Sequence, residues 1–222
     1  MKKTILTLFF LSVASIAFAT ENQKMTLELG SASGTMDFKS DDSQVNAFAL
    51  SHPMTGSMFA LAYTKTASSG LIYGAGYHQF SVSGEATDTS TLTVSGVDYE
   101  PTIKLAETLK ISGIFGLVGY NVDISEAMSF EPQLRIGLGN AISYNGDLTV
   151  SLLGASSTSS DSKSLSGSPA ILAFPVSYKI SDTLFLGASI QLVGTGIEYN
   201  SGGTTYTHVI DSGVAFSVGS TF

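Results

Sequence analysis

The chain has 222 residues, with 10 Lys and Arg against 18 Asp and Glu for a net charge of -8, and 13% of its residues are charged, about half the usual share. It has 23 Gly, 13 Phe and 9 Tyr but no Cys and no Trp. Missing cysteine excludes a disulfide scaffold, a Cys-ligated metal or iron–sulfur site and thiol catalysis. A net-acidic chain whose one arginine is Arg135 lacks the clustered positive charge that nucleic acid demands. The 43% hydrophobic content, rich in Phe, Tyr, Ile, Leu and Val, excludes wholesale disorder.

At the N-terminus, Lys2 and Lys3, the apolar run Ile5 to Ala17 and the small-x-small sequence Ala17-Phe18-Ala19 match a secretory signal peptide, residues 1–19, cleaved after Ala19. The run is shorter than the roughly 20 residues of a membrane-spanning helix. No Cys follows it for lipid attachment. Residues 20–222 are then a single exported domain, and the absence of cysteine suits an oxidising compartment. No later run is apolar enough for a spanning helix. Two classes remain: a soluble all-β domain, or a barrel whose alternating strands cross a membrane one face at a time.

Period-2 alternation places strands near 24–32, 57–65, 71–83, 109–123, 128–142, 169–179, 184–195 and 208–222. In the fifth, Phe130, Pro132, Leu134, Ile136 and Leu138 share one face, opposite Glu131, Gln133, Arg135, Gly137 and Gly139. The sixth puts Leu172, Phe174, Val176 and Tyr178 on one side. The seventh aligns Leu184, Leu186, Ala188, Ile190 and Leu192. The last aligns Ile210, Val214, Phe216, Val218 and Phe222, opposite Asp211, Gly213, Ala215, Ser217 and Gly219. Short polar turns follow at 67–70, 125–127 and 181–183, and long connections at 33–56, 84–108, 143–168 and 195–207. The third of these contains the low-complexity stretch 155–161 and reads as a mobile loop. Val45–Leu50 and Thr91–Tyr99 are candidate further strands, which would either extend hairpins or make ten strands in place of eight.

The second face of each strand decides between the classes. It is mostly Gly, Ala and Ser, an odd surface for water and a good lining for a narrow lumen. Tight turns at one rim and long loops at the other are the asymmetry of a bacterial outer-membrane barrel. The fold expected is all-β, an antiparallel up-and-down transmembrane β-barrel of eight strands, with both termini on the short-turn side. Tyr63, Tyr120 and Tyr178 each end a strand before a short turn, where a tyrosine suits the membrane–water interface belt.

On these residues, the closing strand Gly213–Phe222 and the segment Tyr178–Gly187, the sequence resembles the small outer-membrane β-barrels of the OmpA-transmembrane, OmpX and opacity type. The resemblance implies that Phe216, Val218 and the terminal Phe222 form the signal read by the barrel-assembly machinery. It implies outer-membrane lipid as the surroundings, both termini in the periplasm of a Gram-negative cell, and a lumen closed by an ion pair. Because the sequence stops at Phe222, no cell-wall-binding domain is expected after the barrel.

Glu28, Glu131, Gln133, Arg135 and Gln191 project into that lumen. A buried charge is costly without a partner, so Arg135 should pair with a carboxylate, either as a polar plug or as a gate. Phe115 and Leu117 also point inward, to pack against small residues or to line an apolar pocket. His78 and His208 lack the local His-x-Ser pairing of lipid-A deacylase barrels, and these two and His52 read as solvated rim residues. Asp41 and Asp42 read as solvated loop charge. Gly113-x-x-Gly116 and Gly194-x-Gly196 have no following helix and are no phosphate loop. No catalytic residue, metal ligand or cofactor is expected. The function expected is structural or surface-interactive (adhesion, envelope integrity) in a monomer whose surface ligand is undefined. The alternatives are a narrow channel of the OmpW type and a lipid-A-modifying enzyme.

Overall fold

The computed structural model describes residues 23–40, 51–89, 91–94, 97–201 and 204–222. The expected signal peptide, Asp41, Asp42 and the candidate strand Val45–Leu50 lie outside the described residues. In chain order the strands are β1 (Gln23–Ser40), β2 (Ser51–Thr66), β3 (Leu71–Thr89), β4 (Leu92–Val94), β5 (Val97–Tyr99), β6 (Thr102–Tyr120), β7 (Val122–Asp123), β8 (Met128–Phe130), β9 (Gln133–Gly137), β10 (Asn140–Leu152), β11 (Ala155–Gly167), β12 (Ala170–Lys179), β13 (Leu184–Ser201) and β14 (Thr204–Thr221).

Every pairing is antiparallel, and one path closes on itself: β1–β2–β3–β6–β9–β12–β13–β14 and back to β1. Closure leaves the membrane-facing ring without an edge, as hydrocarbon requires. That closed path has eight members, but the strands number more than the eight expected. Among the described residues a single sheet holds 12 strands, and β4 and β5 form a separate 2-stranded one over the Thr91–Tyr99 candidate. The extra segments have two causes. The fifth position of the ring is broken into β8, β9 and β10, because Pro132 has no N–H to give the ladder and Gly139 turns the chain at φ +66. Across those breaks single bonds continue the seam: Glu131 N–H to Pro175 O at 2.9 Å and Gly137 N–H to Pro169 O at 2.8 Å.

The second cause corrects the sequence reading of the long connections. Most of 33–56, 84–108, 143–168 and 195–207 is strand, continuing the ring upward. The stretch 155–161, expected to be a mobile loop, lies in β11, paired residue for residue with β10. Ser and Thr have ample β propensity on a surface, and composition alone mistook that surface for a loop. The hairpin closes through Leu153 and Gly154, both at positive φ (52 and 82), the geometry of a two-residue type I′ turn. Leucine there is strained, since a left-handed L-residue costs roughly 1–2 kcal/mol. Leu153→Gly will therefore raise stability by about 1 kcal/mol, read as a higher urea midpoint in detergent; no shift would mean that the turn relaxes.

The barrel inverts its polarity along its axis. Near the short turns the outer face is apolar: Leu134, Ile136 and Leu138 on β9 and just beyond, Leu172 and Phe174 on β12, Ile190 and Leu192 on β13 are all exposed. This is the belt of a membrane-spanning barrel. Further from the short turns the outer face becomes Thr55 and Ser57 on β2, Ser83 and Glu85 on β3, and Lys104 and Lys110 on β6, all exposed. Lys104 pairs with Glu85 at 2.8 Å. There the inside turns apolar, with Met36, Met54, Phe80, Val82, Leu109, Ile111 and Ile142 buried in one cluster. The lower half is built for lipid and the upper half for water.

Ile210 belongs to that upper core, which corrects its expected place on the outer face with Val214 and Phe216. It is 0% exposed. The pairing with β1 steps from Ser33↔Ser212 to Gly34↔Ile210, leaving Asp211 as the extra residue of a bulge. One inserted residue exchanges the faces for everything above it.

Candidate functional site: the closed lumen

All five residues expected in the lumen are buried: Glu28, Glu131, Gln133, Arg135 and Gln191. Strand alternation puts them there, and pairing across the bore brings them together in two tiers. In the upper tier Arg135 grips Glu28 with both terminal nitrogens, Nη1 to Oε2 and Nη2 to Oε1, each at 2.7 Å. Its Nε and Nη2 also donate to Gln133 Oε1 at 3.1 and 3.0 Å. Gln191 Nε2 donates to Glu28 Oε2 at 2.9 Å. A bidentate fork of this kind is the strongest geometry open to a carboxylate. The lower tier is Lys24, which reaches Glu131 at 2.6 Å and Ser177 at 3.1 Å and lies 3.9 Å from the Phe185 ring centroid.

Between the tiers is a gap of about 10 Å³ touching Lys24, Glu28 and Arg135, at the lower limit for one water. Below the lower tier the bore widens into a mouth of about 390 Å³ at the short-turn rim, with Lys24, Glu131 and Phe185 in its lining.

Phe115 and Leu117 point inward as expected and form a packed cluster with Ala62 and Ile72. The Phe115 ring needs a residue without a side chain at the paired position of the neighbouring strand, because a Cβ on Gly76 would come within 2.5 Å of it. Gly219 serves Phe185 in the same way, with a Cβ placed 2.1 Å from that ring. This is packing, not a pocket. Arg135 stands 5.4 Å from the Phe115 centroid, and His78 stacks on its ring at 5.3 Å.

The histidines correct another expectation. His52 and His78 are not solvated rim residues but are buried, because the segments that carry them are inward-facing strand. His78 Nε2 is hydrogen-bonded to Asn140 Nδ2. His52 Nε2 lies 3.7 Å from Glu107 Oε2, and the Tyr144 hydroxyl donates to the other Glu107 oxygen. Sequence reasoning missed Glu107, Asn140 and Tyr144 because they fall in segments read as loops or strand ends. The signal available was parity: Glu107 shares a face with Leu105, Leu109 and Ile111. His208 is in β14, opposite Met36 of β1.

The remaining expected positions lie outside the bore. Tyr63, Tyr120 and Tyr178 are exposed on the outer face near the short turns, and the Tyr63 hydroxyl donates to Gln23 Oε1 at 2.5 Å. Phe216 is exposed, while Val218 and Phe222 are half-buried. The Phe222 N–H reaches Gln23 O at 3.0 Å, pinning the chain end to the start of β1. Among the described residues, no group of three or more His, Asp or Glu is placed to hold a metal ion.

No family model matches the chain, and no curated protein matches it. Among solved structures it is similar to the outer membrane protease OmpT from Escherichia coli, with 7% identity over 93% of this chain and 99% of that one, at a TM-score of 0.48. It is similar to the outer membrane protein OprG from Pseudomonas aeruginosa, with 13% identity, coverage of 92% and 98%, and a TM-score of 0.40. It is also similar to Ail, the attachment invasion locus protein of Yersinia pestis, in complex with the heparin analogue sucrose octasulfate, with 11% identity, coverage of 90% and 99%, and a TM-score of 0.37. Identities and scores this low assign this chain no activity. Its resemblance to small outer-membrane barrels is one of fold, and the closed pairing and the apolar belt of the chain itself carry it.

Proposed function

We propose that the chain is an integral barrel of the Gram-negative outer membrane with a structural or surface-interaction role, and that it moves no solute. The sealed bore carries this reading. From the short-turn mouth upward, a solute would meet the Lys24–Glu131 tier, then the Arg135–Glu28 fork, then an apolar core with Met36, Met54 and Phe80. Each level would have to open in turn. The belt residues Tyr63, Tyr120 and Tyr178 would sit at the periplasmic interface, where the ring is buried and the hydroxyl meets water. Phe216, Val218 and Phe222 would serve as the assembly signal, with both chain ends on the periplasmic side.

The test is planar-bilayer conductance of purified protein whose insertion has been checked by heat-modifiable gel mobility. No stepwise opening is expected from the wild-type chain, nor from Glu131→Gln, which weakens only the lower tier. Reproducible openings in the wild type would refute the reading and establish the narrow channel. The lipid-A reading fares worse, since neither nitrogen of His52 and neither nitrogen of His78 bonds to a serine hydroxyl. A change in the lipid-A mass spectrum on expression would restore it.

A further inference from the structure

The ring of strands is closed at the level of the belt but opens above it. Below, β12 and β13 are paired from Lys179↔Phe185 up to Ala170↔Gly194. Above that point the two walls part. Among the described residues β11 pairs only with β10, and β13 from Thr195 to Ser201 pairs only with β14. The extracellular half therefore carries a slit flanked by two unpaired strand edges of one chain.

Apart from the charged pair Asp161 and Lys163, the β11 edge has none of the usual protections. It is a 13-residue strand without proline or bulge, and apart from Asp161, Lys163 and Gly167 each of its residues is exposed. The two-residue turn makes Leu152 and Ala155 a hydrogen-bonded pair. The odd-numbered residues of β11 then bond to β10, and the N–H and C=O groups of the even-numbered residues Ser156 to Ser166 point into the slit.

Direction limits what can fill it. β11 runs toward the membrane and β13 away from it, so each edge is the antiparallel complement of the other. A two-fold axis along the barrel keeps two copies upright in one membrane and turns slit to slit. It sets β11 of each copy against β13 of the other, in two equivalent seams. Pairing β11 with itself, antiparallel, would need an axis in the membrane plane and would invert one barrel. The geometry points to a homodimer in which the extracellular strands of two barrels zip into one continuous antiparallel wall, the four open edges satisfying one another. Such an interface is isologous and closed, so it stops at two. It replaces the monomer expected from the sequence, and it rests on the membrane-barrel reading above.

The chain has no cysteine, so introduced thiols report cleanly. Ser164→Cys in one tagged copy and Asn200→Cys in a differently tagged copy are expressed together, and the outer membranes are oxidised. A disulfide-linked heterodimer is the expected product. Ser162→Pro removes an N–H that points into the slit and none from the β10 ladder, a position where an edge tolerates proline. Added to the Ser164→Cys copy, it should lower cross-linking about tenfold, one backbone hydrogen bond being lost at the seam that is read, while heat-modifiable mobility is kept.

Three results overturn the inference with the barrel intact. One is no heterodimer from a membrane-inserted, heat-modifiable chain. Another is an intrachain link in the double variant Ser164→Cys/Asn200→Cys with no heterodimer in the mixture, which shows the slit zipping within one chain. The third is a link to an unrelated protein in place of the second copy. A chain missing from the membrane fraction overturns the barrel reading itself and takes the dimer with it.

Discussion

Arg135→Ala will destabilise the barrel by about 3–5 kcal/mol. The guanidinium is 2% exposed and forks onto a carboxylate that is also 2% exposed. Its removal leaves Glu28 charged in the bore, with the amide of Gln191 as its remaining near donor, and strips Gln133 Oε1 of both its Arg135 donors. Most of that loss is the penalty of an orphaned charge, not the net worth of the pair. The double variant Arg135→Met/Glu28→Leu should therefore recover most of it, because apolar residues of similar volume replace a buried pair at little or no cost. Urea titration in lipid vesicles, followed by the heat-modifiable band, measures both. An Arg135→Ala midpoint equal to wild type would mean that water already reaches Glu28, and the sealed bore would fall with it.

Ile190→Arg will cost about 2–4 kcal/mol, as a cation near mid-belt on the lipid face does, whereas Ser83→Arg will cost almost nothing. Both residues are outward-facing strand positions, and Ile190 is 59% exposed. On a soluble protein the two substitutions would be equally mild. Val82→Arg, one residue from Ser83 but facing the upper core, should be as damaging as Ile190→Arg or worse, because Val82 is buried in an apolar cluster. Equal stability of the Ile190 and Ser83 variants would abolish the distinction between the lower and upper halves of the barrel.

Much of this was legible in the chain. Alternation gave the lower ring, and the parity of the fifth strand placed Gln133 and Arg135 inward correctly. The cost of a lone charge in the lumen required Arg135 to find a carboxylate, although nothing in the sequence chose Glu28 over Glu131. Pairing across the bore made that choice, and pairing between distant strands leaves no local trace. The upper half was misread because its polarity is reversed. Inward parity on β3 runs unbroken from Ile72 through His78 and Phe80 to Val82, while the outward residues change from Leu71, Tyr73 and Tyr77 to Ser81, Ser83 and Glu85. A reader who equates apolar with outward stops the strand there. The bulge at Asp211 was hidden for a similar reason, since period-2 counting carries no mark where one residue drops out of the ladder.

The reversal also fixes how the chain sits in its bilayer. On β6 the outer face passes from Ile114 to Lys110 within four residues. Hydrocarbon that rose past Ile114 would meet Lys110, and one that fell short would leave Leu192 wet. The hydrophobic height is thus bounded on the protein side with little tolerance, and a membrane of another thickness must stretch or thin around it. A barrel with so sharp an upper edge is expected to favour membranes, or patches of one membrane, whose hydrocarbon matches its belt.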